Sequence, residues 1–142
     1  MPVEQTELGA VARFGYVSVY DPARHMARVR FPDKDNMVSG WLPVVVPNTK
    51  KNKDEYHLDV DEHVFCVLMG NGLEMGAVLG SIYDDANKPP VGNQDIRVTT
   101  FEDGTRFSYD RKEKLLTVNA VGDIRIQAAG NIDVDGAMIY LN

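Results

Sequence analysis

The chain has 142 residues, the length of one domain or of a small domain with an appendage. A composition of 44% hydrophobic and 25% charged residues is typical of globular proteins and excludes wholesale disorder. The net charge of −6 disfavours binding to a phosphate backbone. The single cysteine excludes an internal disulfide. We expect neither a signal peptide nor a membrane span, and synthesis in the cytoplasm.

The first part of the chain predicts a small all-β unit of about five strands over residues 8–83. Apolar and polar residues alternate over residues 11–20 and 27–31, as in half-buried strands. Residues 64–69 form a continuous apolar run, and residues 74–82 are predicted to pair with it. Between them, Asn71-Gly72 predicts a hairpin turn, because both residue types tolerate positive φ. A helical pattern is confined to a turn or two over residues 3–11.

A change in composition separates this unit from the rest of the chain. Residues 84–93 are polar and rich in proline and glycine, and Pro89-Pro90 makes a linker stiff. We therefore predict an N-terminal domain over residues 1–85, a linker over residues 86–95 and a C-terminal segment over residues 96–142.

The C-terminal segment contains a repeat with a period of eight residues. Residues 116–123, 124–131 and 132–139 align, and each octad has a β-branched or leucine side chain at its first and third positions. A Gly-Asp or Gly-Asn corner closes the first two octads, where positive φ costs little. Such repeats bury their apolar row only by stacking. The row consists of Leu116, Val118, Ile124, Ile126, Ile132 and Val134.

This apolar row predicts an oligomer, because the segment has no second layer to cover it. Each aliphatic side chain contributes about 1.5–3 kcal/mol when it is fully buried. Three copies wound together would enclose the row in a prism without exposed edges. Arg125, Gln127, Asp133 and Asp135 would then face solvent. The alternative is an antiparallel meander packed on the N-terminal domain.

Several short motifs, in this order, resemble one family of phage and bacterial proteins. They are Gly15-Tyr16-Val17, Arg28-Val29-Arg30-Phe31-Pro32, Ser39-Gly40-Trp41-Leu42-Pro43, Asp61-Glu62-His63-Val64 and Gly76-Ala77-Val78-Leu79-Gly80-Ser81-Ile82-Tyr83. With the linker and the octads, they resemble the baseplate spike family of contractile tails. That family includes baseplate assembly protein V of Mu-type phages, with relatives in tailocins and in the VgrG spikes of type VI secretion.

The resemblance implies an all-β protein: an N-terminal OB-fold barrel that trimerises, followed by a C-terminal triple-stranded β-helix formed by a homotrimer. It implies a mechanical role without enzymatic turnover. The needle would sit on hub and tail-tube proteins at the tail baseplate of a virion or related machine. It would be assembled in the host cytoplasm and act extracellularly, by piercing the target cell envelope.

The end of the chain departs from part of that family. Several phage members end in a His-x-His pair that binds iron, whereas no histidine follows His63 here. We therefore predict no metal and no cofactor. The last residues are apolar and would leave an exposed plateau, which predicts docking of a separate PAAR-type tip protein. These tip-docking residues are Met138, Ile139, Tyr140 and Leu141.

Two other classes of function remain open. The aromatic residues Phe14, Tyr16, Tyr20 and Trp41 are of the kind on which an OB-fold stacks nucleic-acid bases. The chief alternative is therefore a single-stranded nucleic-acid-binding protein with an oligomerising tail. Core and trimer packing is the competing interpretation of these rings.

The second class is a metal-dependent hydrolase. His57, Asp59, Asp61 and His63 occupy alternate positions, so an extended strand would place all four on one face, as a divalent-metal site requires. The competing interpretation is the solvent face of an ordinary strand. Cys66 lies between apolar neighbours and is expected to be an inert buried thiol.

Overall fold

A computed structural model describes residues 11–70 and 72–142 of the chain. Over these residues the protein is all-β and contains two antiparallel sheets. No helix in the described ranges is long and apolar enough to cross a bilayer. Internal contacts divide the chain into two units, Met1–Lys88 and Pro89–Asn142, and the division falls inside the predicted linker.

The first unit contains six strands in its described part. They are β1 (Ala12–Asp21), β2 (Met26–Phe31), β3 (Met37–Val38), β4 (Leu42–Pro43), β5 (His63–Leu68) and β6 (Gly76–Ser81). A 3-10 turn, Pro32–Lys34, lies between β2 and β3. The strands pair in the order β3-β2-β1-β5-β6, and β4 pairs with β2. A parallel bridge from Val44 to Val78 joins the chain after β4 to β6, so the sheet curls back on itself.

Side-chain alternation explains which faces of these strands are buried. Along β2 and β5, half-buried residues alternate with fully buried ones, as the two-residue period of a strand requires. The four strands predicted from residues 11–20, 27–31, 64–69 and 74–82 are confirmed to within two residues at each end. The predicted turn at Asn71 lies outside the described residues, as does nearly all of the predicted helical turn over residues 3–11. The core consists of Val17, Ala27, Val29, Phe31, Leu42, Val44, Val64, Cys66, Leu68 and Val78.

Glycine at two positions allows strands of the first sheet to approach closely. A Cβ atom on Gly76, whose φ is +148°, would lie 2.2 Å from the carbonyl oxygen of Val67. A Cβ atom on Gly15 would lie 2.5 Å from Cγ1 of Val29. Both contacts are far inside van der Waals distance, so these positions exclude larger residues unless the strands move apart.

The second unit contains three described strands, β7 (Ile96–Thr100), β8 (Arg106–Asp110) and β9 (Leu115–Asn119). They form an antiparallel meander in the order β7-β8-β9. Each turn is closed by an aspartate: Asp103 accepts a hydrogen bond from the Thr105 N–H at 2.9 Å, and Asp110 accepts one from the Lys112 N–H at 2.9 Å. Residues 96–119 therefore pair as an antiparallel meander, which is the strand arrangement of the alternative to the wound trimer.

The chain after Asn119 forms no strand, and every side chain over residues 121–142 is exposed. Of the three octads, only the first contributes to a strand, through the residues that it shares with β9. The other two have no partner strand within the described part of their own chain. We call residues 120–142 the tail.

Candidate interaction surface

One face of the β8–β9 hairpin is apolar. In the pairing of β8 with β9, Tyr109 lies opposite Leu116, and Phe107 lies opposite Val118. Directly opposite residues of an antiparallel pair share a face, so these four side chains form one surface, which we call the meander face. All four are exposed. Phe101 extends the surface, because its ring centroid lies 6.5 Å from that of Phe107.

The opposite face of the β8–β9 hairpin is mostly polar. Ser108 pairs with Thr117, and Arg106 pairs with Asn119. β7 places Arg97 and Thr99 beside the meander face, and it places the half-buried Ile96 and Val98 beside the polar pairs. The apolar side of the β8–β9 hairpin is uncovered within the second unit. A sheet of three strands needs a covered apolar face for independent stability. The meander face therefore has the character of a contact surface.

The six residues of the predicted trimer core fall into two groups. Leu116 and Val118 belong to the meander face, where they join Phe107 and Tyr109. The other four lie in the tail, and the structure does not bring them together with a partner from the described chain. More than half of each of the six side chains is exposed. The four tail residues are Ile124, Ile126, Ile132 and Val134.

The tail leaves its backbone as open as its side chains. No hydrogen bond in the described structure joins the backbone of residues 122–142 to another part of the chain. The last such bond is donated by the Val121 N–H to Oγ1 of Thr105, at 3.2 Å. The predicted tip residues share this exposure, and Leu141 is 90% exposed. The other three tip residues are Met138, Ile139 and Tyr140.

Sequence reasoning missed Phe107 and Tyr109. The signal was present, since Phe107-Ser108-Tyr109 alternates apolar and polar residues as a strand with one buried face does. These residues precede the first octad, so the period of eight did not include them. They widen the predicted contact surface beside Leu116 and Val118.

The four candidate metal ligands do not lie on one strand face, and the extended strand expected over residues 57–63 is wrong. β5 begins only at His63, and a turn at residues 60–61 precedes it, with Asp61 at φ +70°. His57 instead contacts the Tyr20 hydroxyl at 2.6 Å and Oε2 of Glu55 at 2.8 Å. No group of three or more His, Cys, Asp or Glu in the described ranges is placed to hold a metal ion. Asp59 precedes the same turn.

The contacts of Tyr20 and Cys66 do not produce an activated nucleophile. Burial raises the pKa of Tyr20, so its phenol stays protonated beside His57. Burial also raises the pKa of the Cys66 thiol to about 12, whereas a nucleophilic cysteine needs a depressed pKa. The contacts among Glu55, His57 and Tyr20 therefore position the segment that precedes β5, and they do not activate an oxygen as a nucleophile.

A row of stacked groups crosses the outer side of the first sheet. The ring of His63 stacks on that of Tyr16, with 4.6 Å between centroids and 11° between planes. The Arg30 guanidinium lies 5.2 Å from the Tyr16 centroid. Nδ1 of His63 lies 3.3 Å from Oδ2 of Asp84, an ion-pair distance without hydrogen-bond geometry. We call this set the Arg30–Asp84 row.

The aromatic residues considered for base stacking do not form one platform. Phe14 packs against Phe65, with 4.9 Å between ring centroids. Trp41 is covered by the Arg24 guanidinium at 4.7 Å. Among the described rings, no contact joins any two of the four candidates, which are Phe14, Tyr16, Tyr20 and Trp41. Phe14 and Tyr16 are linked only through His63, whose ring lies 6.0 Å from that of Phe14, whereas Tyr20 and Trp41 have other partners. The four candidates therefore do not form a single stacking surface.

The chain matches no family model and no curated protein. The physical features of the described residues are therefore what indicates a function. The most prominent of these features is the apolar surface formed by the meander face and the tail.

Proposed function

We propose that the chain is the structural spike at the tip of a contractile tail or injection machine, acting mechanically as a homotrimer. The observation that carries this proposal is the uncovered apolar row of the second unit. The row and the two aromatic residues beside it make eight large apolar side chains, each between 44 and 74% exposed. At about 1.5–3 kcal/mol for each side chain, covering them would contribute roughly 12–24 kcal/mol per chain as an upper bound.

A triple-stranded β-helix covers such a row and satisfies the tail backbone at the same time. Strands of the tail that pair between copies would supply the hydrogen-bond partners that residues 122–142 do not find in their own chain. Closure around a threefold axis also removes the free sheet edges. Arg125 and Asp133, which alternate with the apolar row, would face water. The exposed backbone and the exposed row thus support the same assembly.

The strand order of the first unit supports an OB-fold barrel. β1, β2 and β4 follow one another as antiparallel neighbours, and β5 returns to pair with the other side of β1. β6 pairs with β5, and the parallel Val44–Val78 bridge closes the circuit. A five-stranded Greek-key barrel closed in this way is the OB arrangement. The short β3 lies beside β2, outside this circuit.

The partners follow from the resemblance and from the exposed end of the chain. The barrel would be held by hub and tail-tube proteins of the baseplate, and the needle would meet the target envelope. The exposed apolar end, Met138, Ile139, Tyr140 and Leu141, supports docking of a separate PAAR-type tip protein. The net charge of −6 and the dispersed aromatic rings favour this role over binding to single-stranded nucleic acid.

Sedimentation equilibrium of the full chain tests the proposal. Three copies of the 15.8-kDa chain give about 47 kDa, which is the mass we expect at micromolar concentration. A monomer would overturn the spike. Salt-dependent binding to a single-stranded DNA oligonucleotide would instead favour the nucleic-acid-binding alternative.

Elemental analysis of the purified trimer tests the tip. We expect no stoichiometric metal. We also expect the trimer to bind a separate PAAR-type tip protein through its C-terminal end. Removal of residues 138–142 should abolish that binding, while the shortened chain still sediments as a trimer. One iron per three chains would contradict the tip proposed for this needle.

A further inference from the structure

We infer that His25 holds the long connection between β4 and β5 in place, and that it does so only when its ring is protonated. The segment that it holds, residues 46–57, we call the strap. This inference goes beyond the proposed spike function and does not depend on it, because every contact involved lies within the first unit of a single chain.

The strap has few attachments to the rest of the first unit. It forms no strand, and residues 47–57 are all exposed. Within the described structure, one hydrogen bond from outside the strap reaches its main chain, at the carbonyl oxygen of Tyr56. The other attachment is between side chains, where the His57 ring meets the Tyr20 hydroxyl at 2.6 Å. The loss of either contact would therefore leave the strap with one hydrogen bond to the strands.

His25 connects the strap to two other parts of the first unit. It is the last residue of the turn between β1 and β2, and it is half-buried. Its carbonyl oxygen accepts a hydrogen bond from the Val44 N–H at 3.1 Å. In its ring, Nδ1 lies 3.2 Å from the carbonyl oxygen of Val44, and Nε2 lies 2.8 Å from that of Tyr56. The ring thus bridges the end of β4 and the strap.

Both partners of the His25 ring are hydrogen-bond acceptors. A carbonyl oxygen has no hydrogen to donate, so a ring nitrogen bonds to it only when that nitrogen carries a hydrogen. The neutral imidazole carries one such hydrogen, and the imidazolium carries two. Both bonds therefore form together only in the charged ring, whereas in the neutral ring a lone pair faces one of the two oxygens. Protonation favours the attached strap, and loss of the proton favours its release.

His57 does not share this dependence on a proton, although its ring centroid lies only 5.3 Å from that of His25. Nε2 of His57 lies 2.8 Å from Oε2 of Glu55, and Nδ1 faces the hydroxyl of Tyr20. A hydroxyl can donate or accept, so the neutral ring donates to Glu55 from Nε2 and accepts from Tyr20 at Nδ1. His57 therefore keeps its contacts in both states, and the proton-dependent attachment is the one at His25.

The charges that face His25 do not oppose a proton on its ring. Its neighbour Arg24 is paired with Asp21 at 2.7 Å. The Tyr20 ring lies 6.2 Å from that of His25, and burial raises the pKa of Tyr20, so its phenol stays neutral. β4 contributes no charged side chain. On the strap side, the cavity beside His25 is lined by one cationic and two acidic residues, which are Lys53, Asp54 and Glu55.

Spin labelling of the full chain tests this attachment. A nitroxide on Asn52→Cys, in the exposed middle of the strap, reports strap motion by EPR spectroscopy. A nitroxide on Met37→Cys, in β3, is the matched control. Labelling is selective because Cys66 is buried and its thiol has a pKa of about 12. Histidine in a model peptide titrates near pH 6.5, so spectra are compared at about pH 5.8 and about pH 8, both above the sequence pI of 5.0.

We expect the mobile fraction of the Asn52→Cys label to rise several-fold from the lower pH to the higher. The Met37→Cys spectrum should be the same at both, because β3 is paired with β2 and has no contact with His25 or the strap. An Asn52→Cys spectrum that does not change with pH would overturn the inference. An equal change at both labels would show that the whole barrel responds to pH, which would also overturn it.

Two replacements of His25 distinguish its titration from that of other groups. In the Asn52→Cys background, His25→Phe keeps a ring but removes both donors, so the label should be mobile at both pH values. His25→Lys keeps N–H donors and its charge at both pH values, so the label should be restrained at both. His57→Gln should retain the response to pH. Circular dichroism checks the sheet of each variant, and if one of the His25 variants does not fold, the other still decides. A pH response that persists without His25, or that disappears with His57, would assign the proton to another group and overturn the inference.

Discussion

The replacement Ile126→Asp tests the inward orientation of the needle row. In the single chain Ile126 is 74% exposed, so an aspartate there costs the isolated chain little. In the proposed trimer the same position lies on the axis, where three carboxylates would face one another without water. Burial beside like charges is unfavourable for each of them. The penalty therefore falls on assembly and not on the barrel.

The size of the effect follows from the apolar burial that is lost. One isoleucine contributes about 1.5–3 kcal/mol when buried, so three copies lose roughly 4.5–9 kcal/mol per trimer before any charge penalty. Each 1.4 kcal/mol is a factor of about ten, so association should weaken by a thousandfold or more. A trimer that is stable at micromolar concentration would then dissociate.

Sedimentation equilibrium over a range of concentrations measures the change, and limited proteolysis reports on the tail. Arg125→Asp is the matched control, because it introduces the same residue at the neighbouring position, which faces solvent in the proposed needle. We expect this control to stay trimeric and resistant to protease. If Ile126→Asp is as trimeric and as stable as the unmodified chain, the inward register assigned to the row is wrong.

Four further predictions concern the needle end, the barrel core, the thiol and the pH dependence of a turn. Truncation after Gly130 should leave the trimer intact by sedimentation, because stacked repeats stabilise their nearest neighbours, while binding of a tip protein is lost. Phe31→Ala should lower the free energy of unfolding of the barrel by about 3–5 kcal/mol in chemical denaturation, since Phe31 is 0% exposed. Cys66 should react with Ellman's reagent only after denaturation, because its thiol has a pKa of about 12. Hydrogen bonds from Thr105 lower the pKa of Asp103 below 3.8. The stability that these bonds give the folded chain is therefore present above pH 3.8 and is lost as the pH falls through the folded pKa. Thr105→Val should raise that pKa in an NMR titration.

Sequence periodicity was sufficient for the long strands of the first unit. β2 alternates apolar and polar residues, and this alternation predicts both the strand and its buried face. β5 was predicted from a continuous apolar run, which indicates a strand but not which of its faces is buried. The two-residue strands β3 and β4 could not be predicted, because their positions are set by pairing with β2 and not by a local pattern. The turn before His63 was missed for a related reason. Alternating His and Asp residues resemble a strand, whereas Asp61 adopts a positive φ that the pattern does not encode.

The candidate surface of the second unit was predictable in its composition but not in its extent. The octads identified Leu116 and Val118 as members of an apolar row. The addition of Phe107 and Tyr109 required the register of β8 against β9, which depends on a turn of four residues, 111–114. A hairpin register changes which side chains share a face when it shifts by a single residue. Periodicity alone therefore could not connect the aromatic pair to the row.

The closure between β4 and β6 has a consequence for native-state fluctuations. β4 is two residues long and ends in Pro43, which has no N–H to donate. In the described structure, its join to β6 consists of the Val44–Val78 bridge and the hydrogen bond from the Val45 N–H to the Val78 carbonyl at 2.9 Å. By contrast, β1 has five registered positions with β2 and five with β5. Local opening should therefore begin along this line, with the Val45 amide exchanging for deuterium well before the amides of β5, and with water reaching the buried Val78 while the rest of the sheet stays paired.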